Sequence, residues 1–223
     1  MFIYLLFLSP AILLALWAQM RVHAAYAEAQ QIPASLSGAA AARHVLDSAG
    51  LRDVEIEQVP GRLTDHYDPC DKVLRLSQDV YQSRSLAAVG IAAHEAGHAI
   101  QDAHGYAPLA IRNAAVPAAN FGGGISLTLF FLGLVVQVPA LMWGGILLFG
   151  AVVFFQIVNL PVEFNASSRA KDQLAVLGIA NREEMVYVNR VLNAAAWTYV
   201  AGTLHAVLTL LYLVSRASGQ SRG

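Results

Sequence analysis

The feature that most constrains this chain is a run of 50 residues, Asn113 to Val162, without a single Asp, Glu, Lys or Arg. As one straight helix such a run would measure about 75 Å, more than twice the roughly 30 Å of a bilayer's hydrocarbon core. The run therefore predicts two membrane crossings, near residues 119–136 and 140–159. Gln137, Val138 and Pro139 predict the turn between them, because proline disfavours continuation of a helix.

Two further apolar segments predict two more spans. Phe2 to Ala18 is a run of 17 uncharged residues, and Val191 to Ser215 is another of 25. A secretory signal is the alternative for the first segment, because residues 25–27 form a small-x-small cleavage pattern, but its positive charge, Arg21, follows the apolar stretch instead of preceding it. The sequence thus predicts a mainly α-helical integral membrane protein with four transmembrane helices.

The charged residues are unevenly distributed. They make up only 13% of the chain, against about a quarter in ordinary soluble domains. All 15 acids and 12 of the 14 Lys and Arg residues lie within 21–118 and 160–196, which four crossings place on one side. By the positive-inside rule this side is cytoplasmic, so we expect a multi-pass protein of the cell membrane with the lipid bilayer as a partner. A net charge of −1 with no dense basic block excludes a nucleic-acid binder.

The expected organisation follows from these segments. It comprises a transmembrane helix at 1–20, a cytoplasmic region at 21–118, a transmembrane hairpin at 119–160, a second cytoplasmic region at 161–196, a transmembrane helix at 197–215 and a tail at 216–223. Within the first cytoplasmic region, Ser37 and Gly50 predict the two ends of a helix. The alternating segments 54–59 and 72–77 predict a small antiparallel β-hairpin.

The segment 91–100 contains the residues most indicative of chemistry. His94, Glu95 and His98 form a His-Glu-x-x-His pattern inside a helix expected from about Ser85. Residues four apart share a helix face, so both histidines can direct ring nitrogens at one zinc ion. Glu95 lies about 100° further round the helix, where it can act as a general base towards water. Two surface histidines on an amphipathic helix are the alternative, but the residues before His94 are apolar and predict a buried face.

A catalytic zinc site needs a third protein ligand and one open position for water. His104 is one candidate, because it follows His98 by the six residues that metzincins use. Those enzymes need a glycine at the position that Gln101 occupies here. If the helix continues to Gly105, His104 stands about 9 Å further along the axis than His98 and faces elsewhere.

Glu163 is the other candidate for the third ligand. It follows the third predicted span, and an even number of crossings after His98 returns it to the side of the histidines. We expect a helix over Val162–Leu177, with Pro161 suited to its start. An acid at that position would also stabilise a helix dipole without any metal.

Five segments that follow one another in the chain identify a protein family more specifically than the metal motif alone. They are residues 18–22 (AQMRV), 60–69 (PGRLTDHYDP), 92–100 (AAHEAGHAI), 105–109 (GYAPL) and 160–170 (LPVEFNASSRA). With these segments the chain resembles the YugP-like membrane zinc metallopeptidases, within the gluzincin group. The resemblance implies a zincin-like active-site helix, with His94, His98 and Glu163 as zinc ligands and Glu95 as catalytic base. Membrane-anchored gluzincins usually carry an Asp four residues after the ligand Glu, to support a ligand histidine. That position is Ser167 here, and Asn165 or Asp172 are the other candidates for this role.

The sequence therefore predicts an integral membrane zinc metallopeptidase, with one Zn²⁺ per chain, that hydrolyses protein or peptide substrates on the cytoplasmic side. A role in membrane protein quality control follows only by analogy. Two alternatives are an intramembrane protease, whose His-Glu-x-x-His helix lies in lipid, and a non-enzymatic scaffold with a structural metal.

Three polar residues outside the metal motif have competing interpretations. His66 or Tyr67 could stabilise an oxyanion, or they belong to an ordinary Asp-rich turn. His205 lies within the fourth span, where we favour helix packing over a functional role.

Overall fold

The computed structural model describes residues 2–220, which form seven helices and three strands. In chain order these are α1 (Phe2–Gln30), α2 (Gly38–Ser48), β1 (Glu55–Val59), β2 (His66–Asp68), β3 (Val73–Ser77), α3 (Gln78–Gln82), α4 (Leu86–Ala103), α5 (Ala107–Val135), α6 (Pro139–Val176) and α7 (Glu184–Gln220). The chain divides into two compact units. The apolar unit comprises residues 1–17, 110–161 and 198–223, and the site unit comprises residues 18–109 and 162–197.

Four helices within residues 2–220 are long and apolar enough to cross a membrane, judged by length and composition. They are Tyr4–Gln30, Ala107–Val135, Pro139–Val176 and Glu184–Gly219. The prediction of a mainly helical chain with four candidate transmembrane helices is therefore confirmed. The helices extend beyond the expected spans: α5 begins at Ala107, and α7 continues to Gln220 through most of the expected tail. Residues 221–223 of that tail lie outside the described part.

In the apolar unit, α5 and α6 form the expected helical hairpin. The turn lies between Val135 and Pro139, and Gln137 adopts a positive φ of 58°. The two helices approach closely at small residues: a Cβ on Gly145 would lie 2.5 Å from the carbonyl oxygen of Ser126. Lipid is as apolar as the helices, so burying apolar surface between them gives little free energy. Close packing at small residues is what stabilises such helix pairs instead.

The expectation that a new helix starts at Pro161 is wrong. Pro161 lies inside the continuous helix α6, although proline removes one backbone N–H donor from a helix. The following segment is held by packing, because Val162, Ala166, Ala170 and Leu174, which recur every four residues, are all fully buried. That spacing aligns them on one helix face and favours continuing the helix through the proline.

The site unit has its own hydrophobic core, built mainly by α2 and α4 with the sheet. Helix α2 begins where predicted, and Ser37 Oγ accepts a hydrogen bond from the Ala40 N–H. A Cβ on Gly38 would lie 2.2 Å from the carbonyl oxygen of Val80, so α2 starts in close contact with α3. Strand β3 contributes Leu74 and Leu76, both fully buried, to the same core.

The predicted antiparallel hairpin of segments 54–59 and 72–77 is wrong. The sheet has three strands in the order β1-β3-β2, in which β1 pairs with β3 in parallel and β2 pairs with β3 antiparallel. Between β1 and β3 the chain reverses twice, so the two strands run in the same direction. The second reversal is an Asx turn, in which Asp68 Oδ1 accepts hydrogen bonds from the N–H groups of Cys70 and Asp71.

Candidate metal centre

Helix α4 carries the His-Glu-x-x-His segment. It begins as expected after Ser85, whose Oγ accepts a hydrogen bond from the Ala88 N–H. The residues of α4 that precede His94 are all apolar, and most of them are buried in the core of the site unit. This packing fixes the helix rotation, and with it the direction of the two histidine side chains.

Helix α6 packs against α4 at the motif itself. A Cβ on Gly97 would lie 2.6 Å from the carbonyl oxygen of Ala166, so only glycine allows this approach of the two helices. Glu163 lies three residues before Ala166, about one helical turn away. The close approach therefore brings the Glu163 carboxylate to the two histidines.

The ligand atoms of His94, His98 and Glu163 all lie within 4.8 Å of one another and could hold a metal ion. Glu163 Oε2 lies 3.2 Å from His94 Nε2 and 3.7 Å from His98 Nε2. The rings of His94 and His98 stand edge to face, with centroids 4.8 Å apart. All three side chains are largely buried, with exposed fractions of 13%, 8% and 8% respectively.

The donor set and its spacing fit zinc. Two imidazole nitrogens and one carboxylate oxygen form a ligand set that catalytic zinc sites use, with the fourth position left for water. Tetrahedral ligands at about 2.05 Å from zinc would lie about 3.3 Å from each other, close to the observed nitrogen-to-oxygen distances of 3.2 and 3.7 Å. The widest separation within the group is up to 4.8 Å, so the ligand atoms that lie furthest apart would close by up to about 1.5 Å around the ion.

Both histidines have a partner on the ring nitrogen that points away from the centre. His94 Nδ1 lies 3.1 Å from Ser167 Oγ, and His98 Nδ1 lies 3.0 Å from Gln101 Oε1. Such partners hold the ring orientation and raise the basicity of the nitrogen that faces the metal. Each Nε2 atom is thereby left to face Glu163.

Glu95 follows His94 on α4, and its electrostatic surroundings are mixed. Burial raises the pKa of its carboxyl above the ordinary value; His94 and His98 oppose this rise, while Glu163 and Asp65 add to it. A carboxyl with a raised pKa is better matched to proton transfer near neutral pH than an exposed one. Glu95 is therefore a group that can accept and return a proton and that interacts electrostatically with all three candidate ligands.

Comparison with known proteins places the chain in a family. A family model described as "putative neutral zinc metallopeptidase" matches residues 4–218. The chain belongs to this family. A curated relative from Bacillus subtilis strain 168, described as "Putative membrane protease YugP", is 45% identical over 212 residues, which cover 94% of this chain and 94% of the relative. No solved structure matches the chain. The family resemblance drawn from the sequence is confirmed.

In this member of the metallopeptidase family, the structure places His104 apart from the metal group. His104 is the C-cap of α4, and its Nδ1 lies 3.0 Å from Nη1 of Arg169. Within residues 2–220 the grouping of possible metal ligands contains Glu163 and not His104. Of the two candidates for a third ligand, only Glu163 is brought to the histidines.

The other polar residues of the sequence analysis also have identifiable surroundings. Tyr67 donates its hydroxyl hydrogen to Asp102 Oδ2 at 2.8 Å, and His66 Nδ1 lies 2.7 Å from the Thr64 carbonyl oxygen. The Tyr67 proton is thus engaged with a carboxylate at the end of α4. Burial, followed by the hydrogen bond to Asp102, raises the pKa of Tyr67. His205 lies exposed on α7 in the apolar unit.

Reasoning from the sequence missed Gln101 as the partner of His98. The signal was available, because Gln101 lies three positions after His98, a spacing that places two side chains on the same helix face. The residue in contact with His94 is Ser167 itself. Of the other two candidates for this role, Asn165 instead contacts Gln101 and Arg169.

Proposed function

We propose that this chain is a zinc-dependent membrane peptidase in which His94, His98 and Glu163 bind the ion and Glu95 is the general base. The observation that carries the proposal is the grouping of three largely buried ligand residues whose donor atoms lie within 4.8 Å of one another; in both histidines the other ring nitrogen already has a hydrogen-bond partner. Membership of a family described as zinc metallopeptidases supports the metal and the reaction class.

The mechanism follows from the positions of these side chains. When bound, Zn²⁺ supplies a Lewis acid that polarises a carbonyl and makes water acidic enough to lose a proton near neutral pH. Glu95 takes that proton as the water oxygen attacks the peptide carbonyl carbon, and returns it to the nitrogen as the C–N bond breaks. His94, His98 and Glu163 contribute by holding the centre in a fixed geometry within a largely buried site.

The proposal places the site on the cytoplasmic face of the cell membrane. Its support is the charge distribution: Arg216 and Arg222 are the two basic residues that lie outside the segments 21–118 and 160–196. A relative described as a membrane protease adds support for the membrane location. A peptidase held at this face would meet membrane proteins as substrates, and quality control is the role that we propose for it.

Two observations disfavour the alternative functions. Helix α4 is not among the four membrane-spanning candidates found in residues 2–220, and it lies in the core of the site unit, which disfavours an intramembrane protease. The described metal group comprises three ligand residues, whereas a structural zinc site is closed by four. That count favours an open, catalytic site over a scaffold.

The direct test is Glu95→Gln in protein purified in detergent and loaded with Zn²⁺. The amide keeps the size of the side chain but cannot accept the proton, so we expect zinc to be retained and hydrolysis to fall by about 10²- to 10⁴-fold. The assay follows cleavage of an unstructured, fluorescently quenched protein, and Glu183→Gln, an exposed acid before α7, is the matched control. Cleavage by Glu95→Gln at the wild-type rate would remove Glu95 from the mechanism.

A further inference from the structure

Gln101 is a buried amide with every polar atom engaged. It lies in the last turn of α4, it is fully buried, and its Oε1 lies 3.0 Å from His98 Nδ1. Its Nε2 donates to the Val162 carbonyl oxygen at 2.8 Å and to Asn165 Oδ1 at 3.0 Å. One side chain thus joins the second histidine of the motif to two positions of α6.

The direction of these hydrogen bonds is determined by a residue at the far end of the network. Arg169 Nε lies 2.8 Å from Asn165 Oδ1, and a guanidinium can only donate. The Asn165 atom that Arg169 contacts must therefore be the oxygen, and this oxygen can only accept from the Gln101 amide. The Val162 carbonyl oxygen can also only accept, so the Gln101 atom that faces it must be the amide nitrogen.

The orientation of Gln101 determines the tautomer of His98. Because the Gln101 nitrogen faces two acceptors, the amide oxygen faces His98 Nδ1, and the histidine must carry its hydrogen on that nitrogen. His98 Nε2 is then left with a lone pair directed at Glu163 and the metal position. Neutral imidazole has two tautomers, and only this one can bind a metal through Nε2.

The two ligand histidines differ in this respect. His94 Nδ1 faces the hydroxyl of Ser167, which can rotate and either donate or accept. Ser167 therefore tolerates both tautomers of His94, whereas Gln101 tolerates one tautomer of His98. The surrounding residues therefore fix the tautomer of His98 but not that of His94.

We propose that Gln101 is a positioning residue that holds His98 in its metal-binding tautomer, and that Asn165 and Arg169 act by fixing the orientation of Gln101. The inference rests on the proposed function, since it requires His98 to bind the metal. It assigns the end of α4 and the segment 162–169 of α6 a role in metal affinity, through side chains that do not touch the ion.

The test measures the dissociation constant for Zn²⁺ by chelator competition, and the visible absorption spectrum with Co²⁺, on full-length protein in detergent. Gln101→Met keeps the length of the side chain but offers His98 no strong acceptor. We expect zinc affinity to fall by about 10- to 100-fold and the Co²⁺ spectrum to change. A folded Gln101→Met variant with wild-type affinity would overturn the inference.

Asn165 provides the matched pair of variants. Asn165→Asp keeps an oxygen that accepts from both Gln101 and Arg169, so we expect zinc affinity within about threefold of wild type. Asn165→Leu removes the acceptor, and we expect weaker affinity than in the aspartate variant. Equal zinc affinities for the aspartate and leucine variants would overturn the orienting role of Asn165. Circular dichroism verifies the fold of each variant, and this pair decides the inference if Gln101→Met does not fold.

The outcome for the wild type separates this inference from the proposed function. Wild-type protein that is folded but binds no Zn²⁺ would overturn the proposed function, and the inference with it. Wild-type protein that binds Zn²⁺, together with Gln101 and Asn165 variants of unchanged affinity and spectrum, would overturn the inference alone.

Discussion

The α-carbon of Gly97 faces the backbone of Ala166 so closely that a Cβ there would lie 2.6 Å from the Ala166 carbonyl oxygen. The contact joins the middle of the His-Glu-x-x-His segment to α6 one turn after Glu163. The glycine between the two histidines therefore determines how closely Glu163, the proposed third ligand, can approach them. The candidate metal centre depends on a backbone contact as much as on the residues proposed to bind the ion.

We expect Gly97→Ala to damage the centre without changing a ligand. The added methyl group meets a backbone carbonyl, which cannot move independently of its helix, so α6 must shift and the free energy of unfolding should fall by about 1–3 kcal/mol. Thermal unfolding and zinc titration of the detergent-purified variant measure the two effects. Gly90→Ala in the same helix is the control, because its Cβ would meet a side-chain methyl group of Val188 at 3.3 Å. Equal behaviour of the two variants would contradict the role assigned to Gly97.

Ser167 should contribute to zinc affinity through His94. Ser167→Ala leaves His94 Nδ1 without the oxygen that lies 3.1 Å from it, and we expect zinc to bind about tenfold more weakly. Ser167→Asp restores an acceptor and should bind zinc more tightly than Ser167→Ala. Chelator competition measures both constants, and wild-type affinity in Ser167→Ala would show that this contact has no role in metal binding.

The helices and the candidate metal ligands on α4 could be anticipated because their signals are local. Long runs of uncharged residues predict membrane-spanning helices, and a capping serine predicts the start of α4. The spacing of four residues predicts that the two histidines share a helix face. Glu163 could be reached only by combining those helices with an even number of crossings. The four helices and the family are confirmed by the findings.

The features that could not be anticipated depend on contacts distant in sequence. The parallel pairing of β1 with β3 requires the chain to reverse twice, and the short strand β2 lies between the two reversals in sequence. A strand of three residues is too short for a pattern of alternating polar and apolar residues to reveal it. The passage of α6 through Pro161 depends on burial of Ala166, Ala170 and Leu174, which outweighs the local preference of proline. The contact of Gln101 with Asn165 joins residues 64 positions apart.

Tyr67 should make the site unit sensitive to alkaline pH. The pKa of Tyr67 is raised above its ordinary value of 10.0 in the folded chain, so folding favours the protonated phenol. The resulting contribution to the free energy of unfolding is complete below about pH 10 and is lost as the pH rises towards the pKa of the folded state. We expect Tyr67→Phe to cost about 1 kcal/mol at neutral pH, through loss of the hydrogen bond to Asp102, and to reduce the alkaline loss of stability. Thermal unfolding between pH 7 and about pH 11 tests this.

Tyr81→Phe is the control for that experiment. Tyr81 packs against the same core as Tyr67, but among residues 2–220 its hydroxyl group has no hydrogen-bond partner like the one that Asp102 provides for Tyr67. The account is contradicted if Tyr67→Phe and Tyr81→Phe lose stability equally at neutral pH and along the same alkaline profile.

The proposed orientation predicts which positions a membrane-impermeant maleimide reaches in intact cells. Cys70 is exposed and is the single cysteine of the chain, and we expect it to be protected until the cells are permeabilised. Val138→Cys in a Cys70→Ser background, placed in the exposed turn between α5 and α6, should be labelled without permeabilisation. The reverse pattern would place the site unit outside the cytoplasm.

The measurement that tests the central claim most directly is the zinc content per chain of folded, detergent-purified protein. We expect about one ion per chain in the wild type, loss of the ion in His98→Ala and Glu163→Ala, and retention in His104→Ala, because His104 lies outside the ligand group. Wild-type protein that is folded by circular dichroism but takes up no zinc after reconstitution would contradict the account.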